Sequence, residues 1–339
     1  MNTYQELLIK HCKAILTSPK INKSKIVVLC EGQGSILDNP IFDRKTVANY
    51  GKMEQWHDAY FYKRCFPRVR TGYIPEFFNC KGRSDVIQTY FKLLELHEED
   101  SQKSEDTRES RLNPNKLFAI LDIDIQSQDI KKYDSSNTYD FSNTEEIFSN
   151  LYHQGQVNEE NARNHRIWVT GLIHKEAYFI IPELQEVFDN YINVPIYNGQ
   201  QVILEDIYMT MTNAIINSND LKDNFSTVSN RINHCSGLDF TDLDKLRNSW
   251  KEQFENSSDE IRKNELIYAL LMLKKVKDKN TQEDYWEAIK PPSDWTNTEE
   301  VFRDQLLLEI AKFYSQQSNY AKYHIPAFMQ FLKHFSTLN

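Results

Sequence analysis

The stretch Lys116–Asp124, KLFAILDID, decides how this chain is read. Its apolar run from Leu117 to Leu121 suits a strand covered on both faces by helices, and the run stops at two carboxylates two positions apart. On an extended backbone Asp122 and Asp124 point the same way and together suit one hard cation, Mg²⁺ better than zinc. Three further strands are expected in the first half: Lys25–Cys30 (KIVVLC), Tyr73–Asn79 (YIPEFFN) and Arg166–Leu172 (RIWVTGL). Glu31 follows the first of these directly, and Glu176 lies just beyond the last, in HKEAYFIIPEL. Because the carboxyl ends of parallel strands open onto one crevice, Glu31, Asp122, Asp124 and Glu176 are expected on one rim.

Between the strands, Ser84–His97 has helical spacing behind an N-cap serine, and the polar stretch Glu98–Asn115 reads as a solvated surface loop. From about Pro182 onward the pattern is helical, with segments near Leu204–Asn217, Asp242–Lys277, Gln282–Ile289, Thr298–Gln317 and Pro326–Phe335. The expected fold class is α/β. A mostly parallel sheet flanked by helices occupies residues 1–195, with an insertion at about 33–72, and an α-helical domain follows over 196–339. Within that domain, Glu265–Lys277 (ELIYALLMLKKVK) is apolar around much of its circumference and needs neighbours, either the chain's own helices or a partner.

The 339 residues carry 40 Lys plus Arg against 49 Asp plus Glu, a net charge of −9, with 40% hydrophobic and 26% charged residues. That is ordinary globular usage, enough for about two domains. The acidic balance excludes coating nucleic acid by bulk charge but leaves room for a local basic channel. No run approaches the roughly 18 apolar residues of a membrane span, and Glu6, Lys10 and Lys13 interrupt the start where a signal peptide would be apolar, so a cytoplasmic protein with no membrane contact is expected. Five widely spaced cysteines without a CxxC pair read as reduced thiols rather than a disulfide framework or a structural zinc site. The sequence EGQGS after the first strand lacks the Lys-Ser/Thr of a P-loop and the spacing of a dinucleotide fingerprint, so no ATP or NAD site is expected. His165 and His174 stand near Glu176 but lack a third zinc ligand.

Two readings stand for Tyr60–Tyr73, YFYKRCFPRVRTGY, where Lys63, Arg64, Arg68 and Arg70 sit among aromatics without an acid. Cations neutralise phosphates and aromatic faces stack on bases, so Arg68 and Arg70 are candidate substrate-binding residues. The other reading is a surface helix with a buried aromatic side. Lys81 and Arg83, on either side of Gly82, are further candidates for holding a phosphate in the crevice, or are solvated like most Lys and Arg.

The order of IVVLCEG, FFNCKGRSDVIQTYFKL and LFAILDID resembles the Toprim domain, which serves topoisomerases, primases of the bacterial type, small RNA-maturation nucleases and nucleases of the OLD family. RIWVTGLIHKEAYFIIPEL further resembles the acid-bearing strand and turn of Toprim proteins that partner ABC-type ATPases in anti-phage defence. The resemblance covers roughly residues 25–190. It implies a Mg²⁺-dependent nuclease (Mn²⁺ as an alternative) in which Glu31 is a metal ligand or general acid/base, Asp122 and Asp124 bind metal, and Glu176 helps to hold a second metal. The implied partners are DNA or RNA and an ABC-type ATPase, with the helical half as a surface for docking or self-association. The chain departs from the family in its long insertion after the Glu-Gly turn and in lacking the familiar acid soon after that turn. Two other functions stay open: a DxD-type nucleotide-sugar or nucleotidyl transferase, which leaves Glu31 without a role, and a catalytically silent Toprim-like interaction module.

Overall fold

The structure, a computed structural model, describes residues 4–22, 25–32, 58–67, 74–320 and 322–337. Arg68, Arg70 and most of the 33–72 insertion therefore lie outside the described residues.

Four strands form one parallel sheet: β1 (Val27–Cys30), β2 (Glu76–Asn79), β3 (Leu117–Leu121) and β4 (Ile167–Val169), in the order β2-β1-β3-β4. Each falls within an apolar run that the sequence marks as a strand, and β1, β3 and β4 are buried along their whole length, as strands covered on both faces must be. Register aligns Val28 with Phe77 on one side and Phe118 on the other, and Ile120 with Trp168. The chain leaves β1 to one side for β2 and returns past it to β3, so the switch point of the sheet lies between β1 and β3. Open α/β sheets bind ligands outside the carboxyl ends of the strands at such a point.

Helix α1 (Tyr4–Leu16) packs on α3 (Arg83–Ser101), which lies against β1 and β3, while α2 (Asp58–Cys65) touches β2 and α4 (Thr144–Leu151) touches β4. The cap of α3 is Gly82 rather than Ser84: the Asp85 carboxylate accepts the Gly82 N–H at 3.2 Å, and the Ser84 hydroxyl instead donates to Gln128 Oε1 at 3.1 Å. At its other end α3 runs on into the polar stretch, where the buried Asp100 carboxylate accepts the N–H groups of Glu109 and Ser110.

After residue 196 come α5 (Leu204–Asn213), α6 (Phe225–Ile232), α7 (Leu243–Asn256), α8 (Glu260–Leu273), α9 (Glu299–Gln316) and α10 (His324–Thr337). Gln282–Ile289, expected helical, is instead the return of a small hairpin that pairs Lys277–Asp278 with Glu283–Asp284. Left-handed Gln282 (φ 59) turns the chain, and Lys277 bridges Asp284 at 2.7 Å and Glu287 at 2.6 Å. The apolar circumference of α8 is covered from within the chain, with Leu266, Ile267, Ala269, Leu270, Leu271, Met272 and Leu273 all buried. The expectation of a partner surface there loses its basis.

One hydrophobic core runs from the sheet into the last two helices. Phe118 meets Phe331 and Phe335 edge-on at 5.3 and 5.2 Å between ring centroids, Trp168 packs on Phe328 and Phe331, and Phe61 of α2 meets Tyr314 of α9. All five cysteines are buried and free. Among the described residues no helix is long and apolar enough to cross a membrane.

A buried polar relay ties α10 to the turn after β4. The Tyr178 hydroxyl accepts the N–H groups of Gly171 (2.9 Å) and Leu172 (3.1 Å) and lies 2.9 Å from His324 Nδ1, while His324 Nε2 lies 2.8 Å from the Gly155 carbonyl. A carbonyl only accepts, so Nε2 carries the proton and Nδ1 accepts from Tyr178. Gly171 permits this approach, because a Cβ there would stand 2.2 Å from the imidazole. Burial pushes the His324 pKa down to about 4. The unfolded chain, with a histidine near 6.5, then binds the extra proton between about pH 4 and 6.5, so stability is lost as pH falls through that window. A His324→Gln variant should show a shallower acid limb by up to about 1.4 kcal/mol per pH unit in chemical denaturation. Equal slopes would mean that His324 titrates normally in the folded state.

Candidate functional site

The carboxyl ends of β1 and β3 bring Glu31 and Asp122 together: Glu31 Oε1 accepts the Asp122 N–H at 2.8 Å. The Glu-Gly turn that carries Glu31 is pinned by the bond from Gly32 N to the Lys81 carbonyl, 2.8 Å. Gly32 has φ 136, and a Cβ there would lie 2.9 Å from Asn79 Oδ1, so only glycine suits the position. Asn79 Oδ1 also accepts the Ala59 N–H at 3.1 Å, which fixes the start of α2 and sets buried Asp58 at the same rim.

Beyond β3 the backbone stops being extended. Ile123 N donates to Thr170 Oγ1 at 3.1 Å, Asp124 N donates to the Ile173 carbonyl at 2.8 Å, and Asp124 is left-handed with φ 50. The extended backbone that would align Asp122 with Asp124 is therefore absent. Asp122 stays with Glu31, whereas Asp124 turns to Arg83 Nη2 (3.2 Å) and Lys275 Nζ (2.8 Å). The same Arg83 donates through Nη1 to the carbonyls of Ile123 (3.0 Å) and Gln126 (2.7 Å), so its guanidinium braces the turn. Lys81, exposed and left-handed at φ 62, lies beside Gly32.

After β4, a single 3-10 turn, Lys175–Phe179, carries Lys175 and Glu176. Lys175 is ion-paired with Asp58 and lies 3.7 Å from Glu176 Oε1. His174 Nδ1 lies 2.7 Å from Glu176 Oε2, and its Nε2 accepts the Val276 N–H at 2.8 Å. Accepting at Nε2 puts the proton on Nδ1, where it is donated to Glu176 and orients that carboxylate.

The titration pattern follows from this charge map. Burial, with Asp58 and Asp124 nearby, pushes Glu31 up to about 8 against the pull of the Asp122 N–H and Arg83. Burial and the charges of Glu31, Asp58 and Glu176 drive Asp122 well above the carboxylate range. Asp58 is raised by burial and by Glu176 despite Lys175. Burial works the same way on Asp124, but Arg83 and Lys275 overcome it and hold that carboxyl below its usual range. Glu176, likewise buried, is held far down by Lys175 and His174. Burial disfavours the Lys175 ammonium, yet Asp58 and Glu176 raise its pKa above the ordinary lysine range. Among the described residues Lys175, Arg83 and Lys275 thus face five carboxylates, and the two that none of these three contacts, Glu31 and Asp122, are both pushed upward.

An all-oxygen donor set fits a hard cation. Among the described residues, however, no three His, Cys, Asp or Glu side chains are placed to hold one. Lys175 lies on Asp58 and Glu176, and Arg83 and Lys275 hold Asp124.

No known protein family, curated protein or solved structure matches the chain.

Over the residues described, the aromatics of the aromatic-basic segment lie mostly in the core. Phe61, Tyr62 and Phe66 are buried, Tyr62 stacks on Phe77, Lys63 bridges Glu76 at 3.0 Å, and Arg64 lies over the Tyr60 ring. His165, beside the strand, is bonded to Asn150 at 2.8 Å and stacked on Phe141. Asp58, Lys175 and Lys275 escaped sequence reasoning. Lys175 had a signal, its adjacency to Glu176 at the end of a strand; Asp58 and Lys275 reach the rim only through tertiary packing.

Proposed function

We propose that this chain is a Mg²⁺-dependent nuclease of the Toprim type, hydrolysing phosphodiester bonds in DNA or RNA, with Mn²⁺ as an alternative cation. The observation that carries the reading is the meeting of Glu31 and Asp122 at the β1/β3 switch point, half-buried and, among the described residues, with more carboxylate than cation around them. A divalent cation bound there would supply charge stabilisation at the phosphate and a more acidic water. Glu31 and Asp122 are the residues that would hold it, Glu31 giving up its proton to do so. His174 keeps Glu176 oriented at the same rim, and Lys175 and Arg83 are the cations we assign to an incoming phosphate among the described residues. An ATPase partner belongs to this reading through the Toprim resemblance, and a cytoplasmic setting through the charged residues Glu6, Lys10 and Lys13 near the start of the sequence.

The test is incubation of the full chain with plasmid DNA, tRNA and a nucleotide sugar, each with Mg²⁺, Mn²⁺ or EDTA. Metal-dependent strand cleavage supports the reading, and sugar transfer would replace it with the transferase. A second reading, a catalytically silent module, is favoured by the ion pairs of Lys175 with Asp58 and of Lys275 with Asp124, which satisfy the acids internally. It expects no turnover and no change in Tm with Mg²⁺.

Metal binding should also release protons. Calorimetric titration of Mg²⁺ in buffers of different ionisation enthalpy should show release at pH 7 that diminishes once the pH passes about 8, where Glu31 is already ionised. Binding without proton release at pH 7 would remove Glu31 from the ligand set.

A further inference from the structure

A cleft of about 250 Å³ lies where α10 meets the hairpin strand Gln156–Val157 and the helical turn Glu159–Ala162, with Trp168 of β4 among its lining residues. One face of α10 lines it, as Ala327, Gln330, Phe331 and His334 follow His324 at steps of three and four residues. His324 Nε2 bonds the Gly155 carbonyl and so ties α10 to the same hairpin. Val157 and Ala162 add apolar surface, and the Trp168 and Phe331 rings stand 5.1 Å apart between centroids. Exposed Glu159 and Arg163 bring a carboxylate and a guanidinium to the cleft from one short stretch. Two of the lining residues hold an unsatisfied polar atom. Trp168 is only 1% exposed, and its indole N–H has no hydrogen-bond partner among the described residues; nor has the buried side-chain carbonyl of Gln330. Leaving a buried donor and a buried acceptor unmade is costly, and a ligand that presents one of each would satisfy both.

We propose that this cleft binds a nucleobase, carried by a nucleoside or its 5′-monophosphate, whose edge accepts from the Trp168 N–H and donates to Gln330 Oε1. A base combines a flat π face with a donor and an acceptor side by side on one edge, which a plain aromatic ring lacks. Trp168 and Phe331 supply aromatic surface for that face. The volume is the share of about eight waters, and it falls below the roughly 300 Å³ at which pockets for drug-sized ligands begin. It therefore suits a single base with its sugar rather than an oligonucleotide. Glu159 accepts from ribose hydroxyls, and Arg163 takes the phosphate where there is one. No lining residue belongs to the rim of acids, so the inference stands apart from the nuclease reading. A bound nucleoside bridges α10 to the 157–163 segment and stabilises the folded chain by mass action.

The experiment uses the full chain in EDTA, so that no metal at the acid rim takes part. Adenosine, guanosine, cytidine, uridine and their 5′-monophosphates are titrated by calorimetry with Tm followed alongside. Indole and ribose 5-phosphate serve as probes that carry the ring or the sugar phosphate alone. At least one nucleoside or monophosphate should bind and raise Tm. Trp168→Phe keeps an aromatic ring and loses the N–H. Gln330→Leu removes the acceptor and strands nothing, which keeps the test open should Trp168→Phe fail to fold. Each should weaken binding roughly tenfold, the ordinary worth of one hydrogen bond, and Ala327→Leu, which fills the cleft, should abolish it. A monophosphate that binds more tightly than its nucleoside, by a margin that Arg163→Ala removes, assigns the nucleotide; equal affinities assign the nucleoside. No binding of any nucleoside or monophosphate at millimolar concentration would overturn the proposal. So would binding that all three cleft variants leave unchanged, which puts the base elsewhere on the chain, and so would indole binding as tightly as the best nucleoside, which makes the cleft a plain apolar pocket.

Discussion

Asp122→Asn and Glu31→Gln are each expected to lower metal-dependent cleavage by at least about a hundredfold, since even residues one shell further out cost 10- to 100-fold. The same variants should melt higher than wild type in EDTA. Folding buries Glu31 beside Asp122 and raises its pKa to about 8, whereas the unfolded chain ionises it near 4.5. The folded state therefore holds a proton that the unfolded state releases, and wild-type stability falls as pH rises from about 4.5 to 8. Glutamine keeps the acceptor for the Asp122 N–H and carries no charge, so the Tm advantage of Glu31→Gln should be small at pH 4.5, widen toward pH 8 and then level off. Melting curves across that range, read beside cleavage assays, separate a charge-crowded site from a structural one. A variant that loses stability together with activity would mark a structural acid.

Tyr178→Phe should be among the most destabilising single-atom changes in the molecule. The lost hydroxyl strands the N–H groups of Gly171 and Leu172 and the Nδ1 acceptor of His324, all buried. At about 1–3 kcal/mol for each buried group left unpaired, the loss should reach at least about 3 kcal/mol. In a protein of this size that corresponds to roughly 4 °C in Tm. Adding His324→Leu removes one of the stranded groups, so the double variant should lose less than the sum of the singles. Strict additivity in denaturant titrations would show that Tyr178 and His324 do not act as a unit.

The sheet was legible because burial on both faces writes itself into sequence: IVVLC and LFAIL leave no polar position for solvent to claim. The convergence of Glu31 and Asp122 was legible for the same reason, since strand ends in a parallel sheet share an edge. The direction of Asp124 was not legible because it depends on a left-handed backbone set by Thr170 and Ile173, residues of another strand's turn. Lys275 was invisible, being one lysine of LKKVK until packing brings it to the rim. Helical spacing misled at Gln282–Ile289, where Lys277 and its acids stabilise a hairpin. The aromatics of α2 could be read as a stacking platform or as core, and contact with Phe77 and Tyr314 decides for core.

The shared core between the sheet and the last two helices has a consequence for how the chain can be cut. Phe118 and Trp168 belong to the strands, yet their rings are covered by Phe328, Phe331 and Phe335, residues more than a hundred positions later. A fragment ending near residue 195 would carry the whole set of rim carboxylates but expose that aromatic face to water, the condition under which partly folded sheets aggregate. The acid-bearing half is thus not a portable module. Its melting and that of the last helices are expected to form one cooperative transition in calorimetry, and a protease that clips the C-terminal helices should loosen the rim without touching it.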